Sequence, residues 1–110
     1  MNDTLRRKIE QLTDRYQELG ELLSDNDIIS NQKLFRSYAK EYSEIEPVVL
    51  TYRERRKKAL ELTEARQMIG DLDPEISVMA TEETKKLEVS ISTLDQQIRV
   101  LLLPQDPNDN

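Results

Sequence analysis

The sequence predicts an all-α fold: an elongated, antiparallel three-helix domain, packed like a coiled coil around a long middle helix. Three observations carry that prediction. Apolar residues recur at spacings of three and four, the repeat that keeps one helix face against a partner. Charged residues make up 35% of the 110-residue chain and hydrophobic residues 36%, with two Gly, one Phe and no Trp. That balance suits long helices rather than a thick globular core. The period-two alternation of a strand is almost absent.

The first helix is expected over about residues 3–24. Leu5, Ile9, Leu12, Tyr16, Leu19 and Leu23 form a seam without a gap. Asp3 is the expected N-cap, with an Asp3–Arg7 pair if the cap lies one residue earlier. Ser24-Asp25-Asn26-Asp27 supplies the turn formers that end the segment.

The second helix is expected over about 28–69, through Phe35, Tyr38, Tyr42, Ile45, Val49 and Tyr52. Its seam frays over Arg53-Glu54-Arg55-Arg56-Lys57-Lys58 and resumes with Ala59, Leu62, Ala65 and Ile69. Gly70 is placed to be the glycine just past the helix end that lets the chain turn away. Pro47 removes one backbone bond and crowds the carbonyl of Ser43. The helix therefore either kinks there or restarts with Ser43 as cap and Glu46 closing a capping box. The apolar phase runs from Tyr42 to Tyr52 without a slip, which favours one kinked helix.

The third helix is expected over about 74–103. Asp73 is its N-cap and Pro74 its first residue, where a missing N–H costs nothing. Its seam is Ile76, Ala80, Leu87, Ile91, Leu94, Ile98 and Leu101. Pro104 cannot continue it and pushes Leu103 out of helical geometry. At 1.5 Å per residue the three helices span roughly 30, 60 and 40 Å. Short connections make neighbours antiparallel, so the middle helix meets the first along its early part and the third along its later part. Such a shape suits reach and contact better than enclosure of a substrate.

Composition removes most chemistry. Cys and His are both absent, so no disulfide, zinc cluster, Cys-His pair or imidazole base can be built. Arg6-Arg7-Lys8 is followed by Ile9-Glu10-Gln11 rather than an apolar run, so no signal peptide is expected here, and no stretch approaches membrane-spanning length. The net charge is −6; residues 1–70 balance 13 acidic against 13 basic side chains, whereas 71–110 hold nine acidic and three basic. A chain that neutralised nucleic-acid phosphates would show the opposite bias, so beside RNA this domain is expected to face protein.

Individual clusters resolve in the same direction. Arg53, Arg55, Arg56, Lys57 and Lys58 splay around the helix at about 100° per residue instead of forming a stripe. With Glu54 four residues before Lys58, they read as a solvated, partly ion-paired face. Tyr16, Tyr38, Tyr42 and Tyr52 fall on the seams and read as core, with hydroxyls at its edge. Glu82 and Glu83, or Asp71 and Asp73, lack the cleft, histidine or glycine loop that acid–base or metal chemistry needs. No catalytic residue, metal ligand or cofactor is assigned, and no enzyme activity is expected of these residues.

The ending is the most distinctive part. Leu101-Leu102-Leu103-Pro104-Gln105-Asp106-Pro107-Asn108-Asp109-Asn110 takes an apolar helical run into a Pro/Asp/Asn string typical of junctions between units. Residues 1–103 are thus expected to be a helical domain and 104–110 a linker toward a further domain outside this chain. The same ten residues resemble the junction in bacterial class I peptide chain release factors between the N-terminal helical domain and the ribosome-reading core. Ala39-Lys40-Glu41-Tyr42-Ser43-Glu44-Ile45-Glu46-Pro47-Val48-Val49 is similar to that family's middle helix, and the Leu-Pro-Gln-Asp junction is more like members that read UAA and UAG.

The resemblance implies a cytoplasmic factor that acts on the ribosome at a stop codon and releases the peptide from tRNA. It also implies interplay of this domain with the release-factor GTPase or the large-subunit stalk. The family's Pro-x-Thr reading element and its methylated Gly-Gly-Gln loop do not occur here; Gln96-Gln97 follows Asp95 without a nearby glycine. The acidic third helix and the tips at Ser24–Asp27 and Gly70–Asp73 are the surfaces expected to make contacts. The alternative is a stand-alone coiled-coil adaptor or scaffold, which fits everything except the junction and the EY-to-PVV segment.

Overall fold

A computed structural model of the chain describes residues 1–104. Four helices follow in order: α1 (Asp3–Leu22), α2 (Asn26–Ile29), α3 (Gln32–Met68) and α4 (Pro74–Leu101). No strand occurs among the described residues. The all-α class and the long middle helix are as the seams require. The expected linker, residues 104–110, lies from residue 105 onward outside the described residues.

Local chemistry explains where the ends differ from expectation. Asn2, not Asp3, caps α1: its side chain accepts from the Leu5 N–H at 2.7 Å. Asp3 is thereby left in the first turn, where it pairs with Arg6 at 3.9 Å instead of Arg7. The connection after α1 holds a fourth helix that the seam pattern could not reveal, because one turn has no periodicity to read. Asp25 caps it through the Asp27 N–H, and Ser30 Oγ donates to the Asn26 carbonyl. Asn31 then accepts from the Leu34 N–H and starts α3 at Gln32, four residues later than expected.

Pro47 lies inside α3, which runs through it as one helix. Ser43 is therefore not a new cap. Gly70 is not the left-handed residue expected after the helix, since neither glycine has a positive φ. The end of α3 instead closes with short turns, Ile69 N–H to Arg66 and Asp71 N–H to Met68. Ser77 Oγ, from the next helix, donates to the Ile69 carbonyl at 2.6 Å. A side chain thus satisfies an orphan carbonyl that a glycine turn would otherwise serve. Asp73 and Pro74 open α4 as expected, with Asp73 accepting from the Glu75 N–H at 2.9 Å.

The chain divides into two compact units, Met1–Leu50 and Thr51–Asn110, and α3 contributes to both. In the first unit, α1 runs antiparallel to the early part of α3. Tyr16 stacks on Tyr42, with ring centroids 4.2 Å apart. Seven residues back from Tyr16 is Ile9 and seven on from Tyr42 is Val49, and both are fully buried. Leu19 is fully buried as well, and Val48 nearly so.

In the second unit, the later part of α3 runs antiparallel to α4. Leu62, Ala65 and Leu87 form a cluster with Ile91 packed against it. Tyr52 and Ile98 are buried at the register that Arg55 and Asp95 set. Thr84, one turn after Ala80, is buried in the α4 seam and donates to the Ala80 carbonyl at 2.8 Å, so its hydroxyl is satisfied without a partner helix.

Candidate interaction surface

Several of the polar side chains on the seams take packing roles in the structure. In the first unit, Arg15 reaches across from α1 and grips Glu41 with two bonds, Nε to Oε2 at 2.5 Å and a terminal nitrogen to Oε1 at 2.9 Å. It also bonds Glu18 and lies 5.8 Å from the centroid of the Tyr38 ring. The guanidinium holds the Glu41 carboxyl below the usual range. Tyr16 donates its hydroxyl to Glu46 at 2.6 Å, and that bond, then the neighbouring Tyr42, raises the phenol's pKa. The seam tyrosines are core with hydroxyls at its edge: Tyr16 and Tyr52 are buried, Tyr38 and Tyr42 partly so.

The basic run in the second unit resolves as a partly ion-paired face. Lys58 lies 4.0 Å from Glu54 and 3.8 Å from Glu61. Arg55 turns inward to pair with Asp95 of α4, both side chains more than four-fifths buried. Sequence reading missed this pair, although the signal was present. The apolar seam of α3 fails around residue 55, and Asp95 sits between the α4 seam residues Leu94 and Ile98. Outside the cluster, Arg66 bonds Glu88 at 3.2 Å.

Asp71 and Asp73 serve the turn into α4, accepting from the Asp73 and Glu75 N–H groups. Glu82 and Glu83 are exposed. Gln96 and Gln97 line a shallow groove of about 460 Å³ with Thr51, Thr93, Val100 and Leu101.

What remains is an open apolar tip where α3 gives way to α4. Leu72 is 100% exposed, Met79 69% and Met68 54%, with Ile69, Ile76 and Val78 also exposed. A groove of about 490 Å³ is lined by Ala65, Met68, Ile76, Met79 and Ala80, with Asp71 and Glu83 at its margin. Met79 also lines a second hollow with Pro74, Glu75 and Val78. Large apolar side chains gathered and open to water mark contact surfaces in soluble proteins. The Gly70–Asp73 tip, expected as a mixed-charge contact surface, holds only acidic charge and adjoins the apolar groove through Asp71; periodicity alone concealed that groove by assigning Ile76 to the core.

Residues 12–110 match the sequence profile described as the PCRF domain. The chain belongs to the PCRF family. That membership makes it a domain of the class I release-factor type and ties it to the release factors of translation termination. No solved structure matches the chain. None of the PCRF domain's described helices is long and apolar enough to cross a membrane. In the second unit, the α3–α4 pair leaves the apolar groove of Met68, Ile76 and Met79 open at its tip.

Proposed function

We propose that this PCRF domain is the N-terminal helical part of a bacterial class I release factor that reads UAA and UAG. The family match over residues 12–110 carries the reading, and the Leu-Pro-Gln-Asp junction supports the codon type. In this reading the factor works in the cytoplasm at the ribosomal decoding site. Its codon-reading element and methylated Gly-Gly-Gln loop lie outside residues 1–110. The helical domain itself performs no chemistry and serves contacts with the release-factor GTPase or the large-subunit stalk.

The test starts from the natural reading frame that contains these residues. The protein it encodes should carry a Gly-Gly-Gln tripeptide and release peptide from ribosomes stalled at UAA and UAG but not at UGA. Removing residues 1–103 should leave ester hydrolysis at saturating factor largely intact and impair factor turnover. A frame without Gly-Gly-Gln, or release at UGA in place of UAG, would overturn the respective part of the proposal.

A further inference from the structure

The charged residues that line the groove and the adjoining hollow are all acidic, and that selects the partner. Between Met68 and Glu83 the sequence contains Asp71, Asp73, Glu75, Glu82 and Glu83 and neither Lys nor Arg. Asp71 and Glu83 edge the groove itself, and Glu75 edges the adjoining hollow. The groove walls are Met68, Ile76 and Met79, and methionine's flexible thioether adapts to differently shaped apolar guests. Acidic margins exclude anionic guests and draw cationic ones, most strongly at low ionic strength.

We infer that the α3–α4 tip binds a basic amphipathic helix of a protein partner. Apolar side chains at i, i+3, i+4 and i+7 enter the groove, and flanking Lys or Arg meet Asp71, Glu75, Glu82 and Glu83. A second copy of this chain fits less well, because it would bring the same negative fringe against itself. Anionic lipid is excluded for the same reason. The inference rests on the groove and its fringe, and stands whether or not the full protein terminates translation.

The probe is a synthetic helix of about 18 residues with leucines on one face and lysines on the other, titrated into the 110-residue chain with amide resonances as readout. Two control peptides replace every lysine by glutamate or every leucine by glutamine. Shifts for the basic peptide should concentrate on Met68–Glu83, and binding should weaken as salt rises from 50 to 300 mM. Both controls should bind at least tenfold more weakly.

Met79→Glu separates the groove from bulk charge. It makes the tip more negative yet removes an apolar wall, so affinity should fall about tenfold rather than rise. Glu82→Lys/Glu83→Lys should weaken binding and flatten the salt dependence. Met79 and both glutamates are exposed, so unchanged circular dichroism is expected of all variants. Three outcomes would overturn the inference: equal binding of the glutamate peptide, tighter binding by Met79→Glu, or shifts spread evenly over α4. A sedimentation mass that doubles with concentration and returns to one chain in Met79→Glu would assign the tip to a second copy and overturn it too.

Discussion

The two units solve one packing problem with different side chains. The first joins α1 to α3 by flanking an aliphatic core of Ile9, Leu19, Val48 and Val49 with aromatic and charged groups that use one another up: Tyr16 on Tyr42, Tyr16 to Glu46, and Arg15 to Glu41. The second joins α3 to α4 mainly through aliphatic residues, with the sheltered ion pair Arg55–Asp95 among them. Most of the large apolar side chains left exposed also belong to the second unit. A polar, mutually satisfied interface fixes register and offers a partner little. An aliphatic seam that runs past the end of its packing leaves apolar surface open to water. Within one short domain, the exposed apolar surface thus gathers mainly in the second unit.

The largest expected effects test whether both cores are equally firm. Leu19→Ala and Ile98→Ala each empty a fully buried site, and each should cost about 2–5 kcal/mol in denaturant unfolding. A cost below about 1 kcal/mol for either would show that its unit collapses around the gap. Next comes the sheltered pair. Arg55→Met leaves Asp95 buried without its cation and should cost about 1–3 kcal/mol. The double variant Arg55→Met/Asp95→Leu should recover most of that, because well-packed apolar groups replace buried ion pairs without loss.

A pH titration sharpens the polar side of the contrast. Folding lowers the Glu41 pKa from its ordinary value of 4.5. Its contribution is therefore fully present above pH 4.5 and is lost as pH falls through the lowered value. The gap in urea midpoint between the parent and Glu41→Gln should be open at pH 7 and close as acid protonates Glu41. A gap that widens in acid would mean Arg15 is not what holds the carboxylate.

The smallest effects concern backbone and surface. Gly70 lacks a positive φ, and an added Cβ would meet nothing within 4 Å. Gly70→Ala should then stabilise by about 0.4–1 kcal/mol through the unfolded chain, whereas a left-handed cap would lose stability. Leu72→Ser, at a fully exposed position, should move stability by no more than about 0.5 kcal/mol.

Much of this fold is legible in the sequence because it is periodic. The α1 seam from Leu5 to Leu23 is buried or half-buried at every position, as spaced. What escaped was aperiodic or relational. The one-turn helix α2 depends on two side-chain caps. The end of α3 depends on Ser77, eight residues further on. The Arg55–Asp95 pair spans 40 residues and becomes visible only once both seams are laid in register. The tip was legible as a turn but not as a groove, since seam spacing cannot say where a helix pair stops covering its own apolar face. Ile76 and Leu101 continue the α4 pattern and are nonetheless exposed.

The two internal methionines of the chain, Met68 and Met79, both line that groove, and the sequence has no cysteine to compete for an oxidant. Peroxide would turn exposed thioethers into polar sulfoxides while leaving the aromatic and aliphatic cores chemically untouched. Apart from Met1 at the N-terminus, the thioethers of the chain are therefore gathered at the tip, and its redox sensitivity with them. Mild oxidation should blunt its apolar character without unfolding a helix, and methionine sulfoxide reductase should restore it.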